Sequence, residues 1–375
     1  AGRRAGAELA AQLGGPARAA LAYLTIQHDA PAFLAGLREV LGDGVALAGS
    51  SAQGVIGRGG VRETGYAASV IALGGDVRAG TARAADIGAD TRAKGAAIGR
   101  ALRDGVGGRP RVVVLHYDPV SHADASALLD AIHGEVDCPI VGGASSHPFG
   151  VPIGDTHQYA GGDVLRHSAS ALALAGDFAV EIGACTGCAP VGVELTVTRA
   201  DGTTLLELDG RPALDVWREL TASSTDRPSA EDAAALALGV PLAPGHQSIR
   251  AAFTLDAARR GITLQAAVAE GTRVMLHHRT VDDVLGGARR MADGLVARLA
   301  GRAPRAVLAF ECGARTLPFL GAERTLQENL ALQRAVAPDA AWCGFMPWGE
   351  LFPVGGRPTF HNYTYPVVVL AEAGA

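Results

Sequence analysis

Cys312, His361 and Asn362 are the residues whose types could do covalent chemistry, because a thiol, an imidazole and an amide at one mouth make an activated nucleophile. Cys312 follows the apolar run Ala306–Phe310 and Glu311 and precedes Gly313 and Arg315, so a small buried thiol beside a capped turn is the plainer role. The paired motif Cys185-x-x-Cys188 has no helix N-terminus to lower a thiol pKa and no second pair to complete a metal site. Eleven histidines invite a metal or haem, yet none forms His-Glu-x-x-His or a closed Cys/His zinc spacing. His277-His278 ends a β-rich run, so the two rings point to opposite faces and one of them, His277, is the candidate metal ligand. Gly-x-Gly-x-x-Gly after a strand, the phosphate-cradling Gly-x-x-x-x-Gly-Lys-Ser/Thr and the Gly-x-Ser-x-Gly elbow are all absent, which weakens nucleotide-dependent and serine-hydrolase readings.

The elements that must position these residues repeat three times as strand, helix, strand, polar loop, strand. The first copy runs from Ala22–Ile26 through Ser50-Ser51 to Ala68–Gly75, and the second from Val112–Leu115 through Ser145-Ser146-His147 to Ala169–Gly176. A looser third runs from Ala306–Phe310 through Cys343-Gly344-Phe345 to Tyr365–Ala371. Open α/β units bind ligands at strand C-terminal ends. The candidate ligand-binding residues are therefore Ser50, Ser51, His116, Ser145, Ser146, His147, Cys312, Arg315, Trp348, Glu350, His361 and Asn362. Ser, Asp and His at such positions also serve as ordinary caps and turn formers.

Helical spacing predicts helices over Pro31–Leu41, with Asp29 as cap and Gly42 as stop, over Asp124–Ile132 stopped by Gly134, and over Thr91–Arg103. Asp201-Gly202 marks a hairpin between Val193–Arg199 and Thr204–Leu208, followed by a helix over Ala213–Leu220. Ile249–Leu255, Ile262–Ala269 and Arg273–His277 alternate as antiparallel strands, and Val281–Ala300 is amphipathic with acid in its first turn. An extended loop over Cys312–Gly321 then leads to a helix over Glu323–Val336. The Ala- and Pro-rich stretch Ala222–Gly245 carries no clear pattern. The fold class is α/β: two associated halves, 1–204 and 205–375, built from repeated β-α-β-loop-β units around mixed sheets.

With 48% hydrophobic and 19% charged residues among 375, the chain has a large core and is not disordered. A net charge of −5 gives no electrostatic reason to expect nucleic acid or anionic lipid, and no segment approaches a membrane span. Five cysteines in a chain this long are no disulfide scaffold, which fits a reducing, cytoplasmic setting.

Three stretches resemble the FIST family of bacterial sensory modules. They are Ala48-Gly49-Ser50-Ser51-Ala52-Gln53-Gly54, Leu208-Asp209-Gly210-Arg211-Pro212-Ala213-Leu214, and a tail holding Phe310-Glu311-Cys312-Gly313-Ala314-Arg315, Gly344-Phe345-Met346-Pro347-Trp348-Gly349-Glu350 and His361-Asn362-Tyr363-Thr364. The resemblance implies FIST N-terminal and C-terminal domains and a non-catalytic, small-ligand-binding input protein of intracellular signalling. It further implies a histidine kinase or cyclic-di-GMP enzyme as partner and leaves homo-oligomerisation open. One branch, the nitric-oxide sensing NosP proteins, binds haem; here His277, His147 and His361 are candidate axial ligands by placement alone. The chain departs from the family pattern at Ala184–Pro190, where a Gly-Trp pair is expected before the proline. The competing readings are an amino-acid sensor without haem, an enzyme using Cys312 with His361, and an interaction scaffold.

Overall fold

The computed structural model describes residues 1–148, 154–221, 235–243 and 245–373. Most of the Ala222–Gly245 stretch lies outside the described residues, although Leu236–Ala243 is a strand. The protein is mixed α/β, as its periodicities predict, and the three sequence repeats are three copies of one structural unit.

In each unit a buried strand, a helix and a second strand form a parallel pair, and a later strand returns antiparallel to the first. Ala17–Thr25 pairs with Ala46–Ala52 and Ala68–Gly74; Val112–Tyr117 pairs with Ile140–Ala144 and Ala169–Ala175; Pro304–Phe310 pairs with Ala341–Phe345 and Thr364–Glu372. A second helix precedes each unit: Gly2–Leu13, Thr91–Gly105 and Val281–Leu299. At the pairing of the two parallel strands one glycine recurs, opposite Ala22, Leu115 and Ala309. A Cβ on Gly49, Gly142 or Gly344 would lie 1.9, 2.2 or 1.9 Å from the carbonyl oxygen of that opposite residue, so only glycine allows the approach.

The units are interlocked in a ring. The hairpin of the first (Val55–Gly57, Gly60–Arg62) joins the sheet of the third, that of the second (Gln158–Ala160, Asp163–Leu165) joins the first, and that of the third (Glu350–Val354, Arg357–His361) joins the second. Outgoing strands do likewise: Arg78–Ala84 pairs with Ala169–Ala175, and Phe178–Thr186 pairs with Thr364–Glu372. Tyr23, His116 and Phe310 follow the residue opposite each glycine, and all three meet at the centre. Tyr23 stacks on Phe345 at 4.6 Å and lies edge-on to His116 and Phe310. The third copy thus shares one central core with the first two, including Leu21, Val114, Leu308 and Val368.

An eight-stranded antiparallel sheet is inserted after Phe178–Thr186. It contains the expected hairpin, as Cys188–Asp201 and Thr204–Leu208, and the helix Ala213–Thr221 packs on it. Three elements differ from expectation. The helix over Ala125–Val136 runs through exposed Gly134 and stops at Asp137, which adopts the left-handed conformation (φ 44). The run Ile262–Ala269 is strand only at Gly261–Thr263, because Gln265 and Ala267 turn aside to bond Ala125 and Asp124 of the second unit. A single π-type turn, Thr316–Leu320, replaces the extended loop before Gly321–Val336.

Candidate functional site

The polar strand ends of the three units do meet, but many of them tie the ring together. Ser51 Oγ donates to the Ser146 carbonyl (2.9 Å) and accepts from the His157 amide (2.9 Å). Ser146 Oγ accepts from the Gln53 amide (2.7 Å) and donates to the Met346 carbonyl (2.5 Å), so one hydroxyl joins all three units. Ser145 Oγ accepts from Gln158 Nε2 (3.0 Å). Ser50 is fully buried beside Tyr23 in the parallel pair. His116 sits at the ring centre, bonded to Tyr23 OH at 3.1 Å, and burial pushes its pKa down to about 3. The two Ser-Ser pairs look alike in sequence but not in register: Ser50 lies one residue past its close-approach glycine and Ser145 three past.

The third unit carries buried charge. Arg315 is fully buried, with Nη2 donating to Glu328 Oε1 (2.6 Å) and Nε 3.5 Å from Glu311 Oε1. Asn329 Nδ2 donates to Glu311 Oε2 (2.7 Å), and Tyr365 OH donates to Asn329 Oδ1 (2.6 Å). Burial, with Glu328 nearby, holds the Glu311 carboxyl well above the usual range. Glu350 accepts from the Thr364 amide and hydroxyl (3.0 and 2.9 Å), yet burial raises its pKa to about 8. Burial also pushes the Cys312 thiol well up, and the Glu350 carboxyl pushes it further. The imidazole of His361 is engaged elsewhere: Nε2 bonds Thr359 Oγ1 (2.8 Å), and the ring stacks on Phe352 at 4.1 Å. An activated Cys312 thiolate therefore has neither a lowered pKa nor this base bonded to it.

Trp348 bridges the units: its Nε1 donates to Gln53 Oε1 (3.2 Å), its ring meets His147 edge-on at 4.3 Å, and its carbonyl accepts from Asn362 Nδ2 (3.2 Å). Asn362 Oδ1 also accepts from the Ala251 amide (2.9 Å), which ties the inserted sheet to the third unit's hairpin. His147 Nε2 accepts from the Gly154 amide (3.1 Å).

Two of the candidate side chains, His277 and His361, line one cavity of about 620 Å³ between the inserted sheet and the ring. His277 Nε2 bonds Gln247 Oε1 at 2.5 Å, while its neighbour His278 is exposed, in line with opposite faces. Burial lowers the pKa of His277 and lowers that of His361 strongly, so both rings are neutral near pH 7. The stretch that departs from the family pattern forms one wall, through Cys185, Thr186, Cys188 and Pro190. Burial raises both thiols, Cys185 to about 12. Among the described lining residues there is no Asp, Glu, Lys or Arg. No cluster of three or more metal-ligating side chains occurs among the described residues. Sequence reasoning did not single out Gln247, Phe352 and His246 here, or Gln53 and Glu328 in the ring; only the fold brings these together, and of them only Gln53 lies in one of the family-like stretches.

The fold is an α/β ring with an inserted β-sheet and a cavity between the two. Residues 18–211 match the FIST N domain and residues 213–353 the FIST C domain, and the chain belongs to the FIST family. FIST domains are small-ligand sensory domains of signalling proteins. The chain is 28% identical over 254 residues to an uncharacterized protein of Mycobacterium bovis, which covers 64% of this chain and 63% of the relative. It is also 26% identical over 250 residues to an uncharacterized protein of Mycobacterium tuberculosis, with the same coverage. The matches thus span less than two thirds of these relatives' length. Among the described residues, no helix is long and apolar enough to cross a membrane.

Proposed function

We propose that this protein is a non-catalytic sensor whose ligand occupies the cavity between the inserted sheet and the ring, and that the ligand is a small, uncharged molecule with an apolar face. The observation that carries this reading is the lining: the stacked His361–Phe352 pair, His277 and Gln247, with no ionised side chain among the described residues. A buried zwitterion such as a free amino acid would lack counter-charges there, whereas neutral imidazoles and an amide can bond an uncharged polar edge. The lining comes from both family domains, so ligand affinity that differs between two placements of the inserted sheet would bias that placement, which is what a signal requires. A partner kinase or cyclic-di-GMP enzyme, and a cytoplasmic setting, complete the reading.

Haem would meet a lining in which His277 Nε2 and His361 Nε2 are both engaged, which leaves His246 as the axial candidate, and no Arg or Lys among the described lining residues is available for the propionates. A thermal-shift series separates these cases. Uncharged heteroaromatic compounds should raise the melting temperature, by about 2.7 kcal/mol of stabilisation at a hundred times Kd, and Phe352→Ala should abolish the shift. Stabilisation by amino acids alone, or a Soret band that moves with nitric oxide after haem addition, would reject the reading.

A further inference from the structure

One buried cation lies outside both the cavity and the Arg315 cluster. Arg250, on the inserted sheet, is 4% exposed and has no carboxylate paired with it among the described residues, whereas Arg315 pairs with Glu328 and Glu311. Its Nη1 donates to the Phe360 carbonyl, which also accepts from Ser248 Oγ; its Nε meets no acceptor, and the guanidinium lies 4.8 Å over the Phe360 ring. The Asp124 carboxylate is felt by Arg250 but turns Oδ1 to the Ser126 and Ala267 amides. Burial pushes the Arg250 pKa down only to about 10, so the charge persists at neutral pH. A buried cation with neither a paired acid nor a full set of acceptors is costly unless an anion completes it.

Two further donors are left over beside it. Tyr117 OH, on a residue 1% exposed, and Gln265 Nε2, on a residue 3% exposed, have no partner among the described residues. After burial, Arg250 is the largest influence on the Tyr117 phenol and Tyr117 the largest on Arg250, so the two groups are close. Gln265 adjoins the same Phe360 ring: a Cβ on Gly349 would lie 2.4 Å from Phe360 Cε2 and 2.5 Å from Gln265 Oε1.

We propose that Arg250, Tyr117 and Gln265 hold a small monovalent anion of about the size of chloride at the junction of the inserted sheet and the second unit. One fixed positive charge matches one negative charge, and side chains this deeply buried favour a compact ion over a large organic acid. A water could satisfy the donors but would leave the guanidinium without a counter-charge. The strand His246–Arg250 presents Gln247 and Ile249 to the cavity and Ser248 and Arg250 to this site, so the anion fastens the inserted sheet to the ring from the face opposite the cavity. The inference stands apart from the cavity and does not depend on which ligand fills it.

The probe is chloride, exchanged for gluconate at constant ionic strength while the full chain is melted. Chloride should raise the melting temperature saturably, and bromide should give an anomalous peak in crystals between Arg250 Nε, Tyr117 OH and Gln265 Nε2. Tyr117→Phe keeps the ring and its packing and should weaken the apparent chloride affinity by about tenfold, the loss of one hydrogen bond to an ion. Arg250→Met should remove the chloride dependence; if that variant does not fold, the Tyr117→Phe titration and the bromide peak still decide. A chloride response unchanged in Tyr117→Phe, or water alone in the density at this place, would overturn the proposal. So would a bromide peak there without chloride-dependent melting, which would mark an adventitious ion only.

Discussion

The second and third units hold the same backbone position in opposite ways. Asp118 and Cys312 both follow the first strand of their unit, and both amides bond the start of the return strand, at Ser168 and Thr364. In the second unit the buried Asp118 carboxylate is well supplied: Oδ1 accepts from the Val120 amide and Thr156, and Oδ2 from the His167 amide. In the third unit the thiol takes that place and the buried carboxyl moves one residue back, to Glu311, where an arginine, a second carboxyl and an amide share a site closed to water. A carboxylate fed by backbone amides stays comfortable in the interior; one facing another carboxylate across an arginine stays only while every partner is present.

The largest test of this contrast is Arg315→Ala, which leaves Glu311 and Glu328 buried against each other and should cost about 3–5 kcal/mol in denaturant unfolding. A loss below that of an ordinary surface substitution would mean that the cluster relaxes or hydrates. Next is Ser146→Ala in the neutral part of the ring, which strips the Gln53 amide of its acceptor and the Met346 carbonyl of its donor. It should cost about 1–3 kcal/mol, and a larger effect than Arg315→Ala would invert the comparison.

The last test reads a slope in pH rather than a single loss. The Glu350 pKa rises from 4.5 to about 8 on folding, so between those values the folded state holds a proton that the unfolded state has released. Stability from this group is present below pH 4.5 and is lost as pH rises through about 8. Glu350→Gln, neutral throughout, should remove that component: the stability difference between variant and parent should shift in favour of the variant as pH rises across the window. A difference that stays flat from pH 5 to pH 8 would place Glu350 as an ordinary carboxylate.

Much of the fold was legible in the sequence because burial writes its period into the chain. The helices over 30–41, 91–105 and 281–299 follow from spacing, the first with its cap at Asp29, while the caps at Asp90 and Thr280 come from the structure. The hairpin at Asp201-Gly202 and the opposite faces of His277 and His278 also follow from the sequence. The site was legible only in part. His277 and His361 line the cavity, while Ser51, Ser146 and His116 tie or fill the ring. A strand-end serine is equally suited to a ligand or to a neighbouring carbonyl, and which it meets depends on chains far away in sequence.

Local sequence thus determined the units: three strand-helix-strand repeats, each with a glycine where two strands come too close for a Cβ, and a family resemblance covering both domains. The tertiary structure decided how the units join. Hairpins and return strands are exchanged around a ring by backbone pairing that carries no residue code, so neither the shared Ser146 hydroxyl, the cavity behind His277 and His361, nor the meeting of Arg250 with Tyr117 could be read from any one segment.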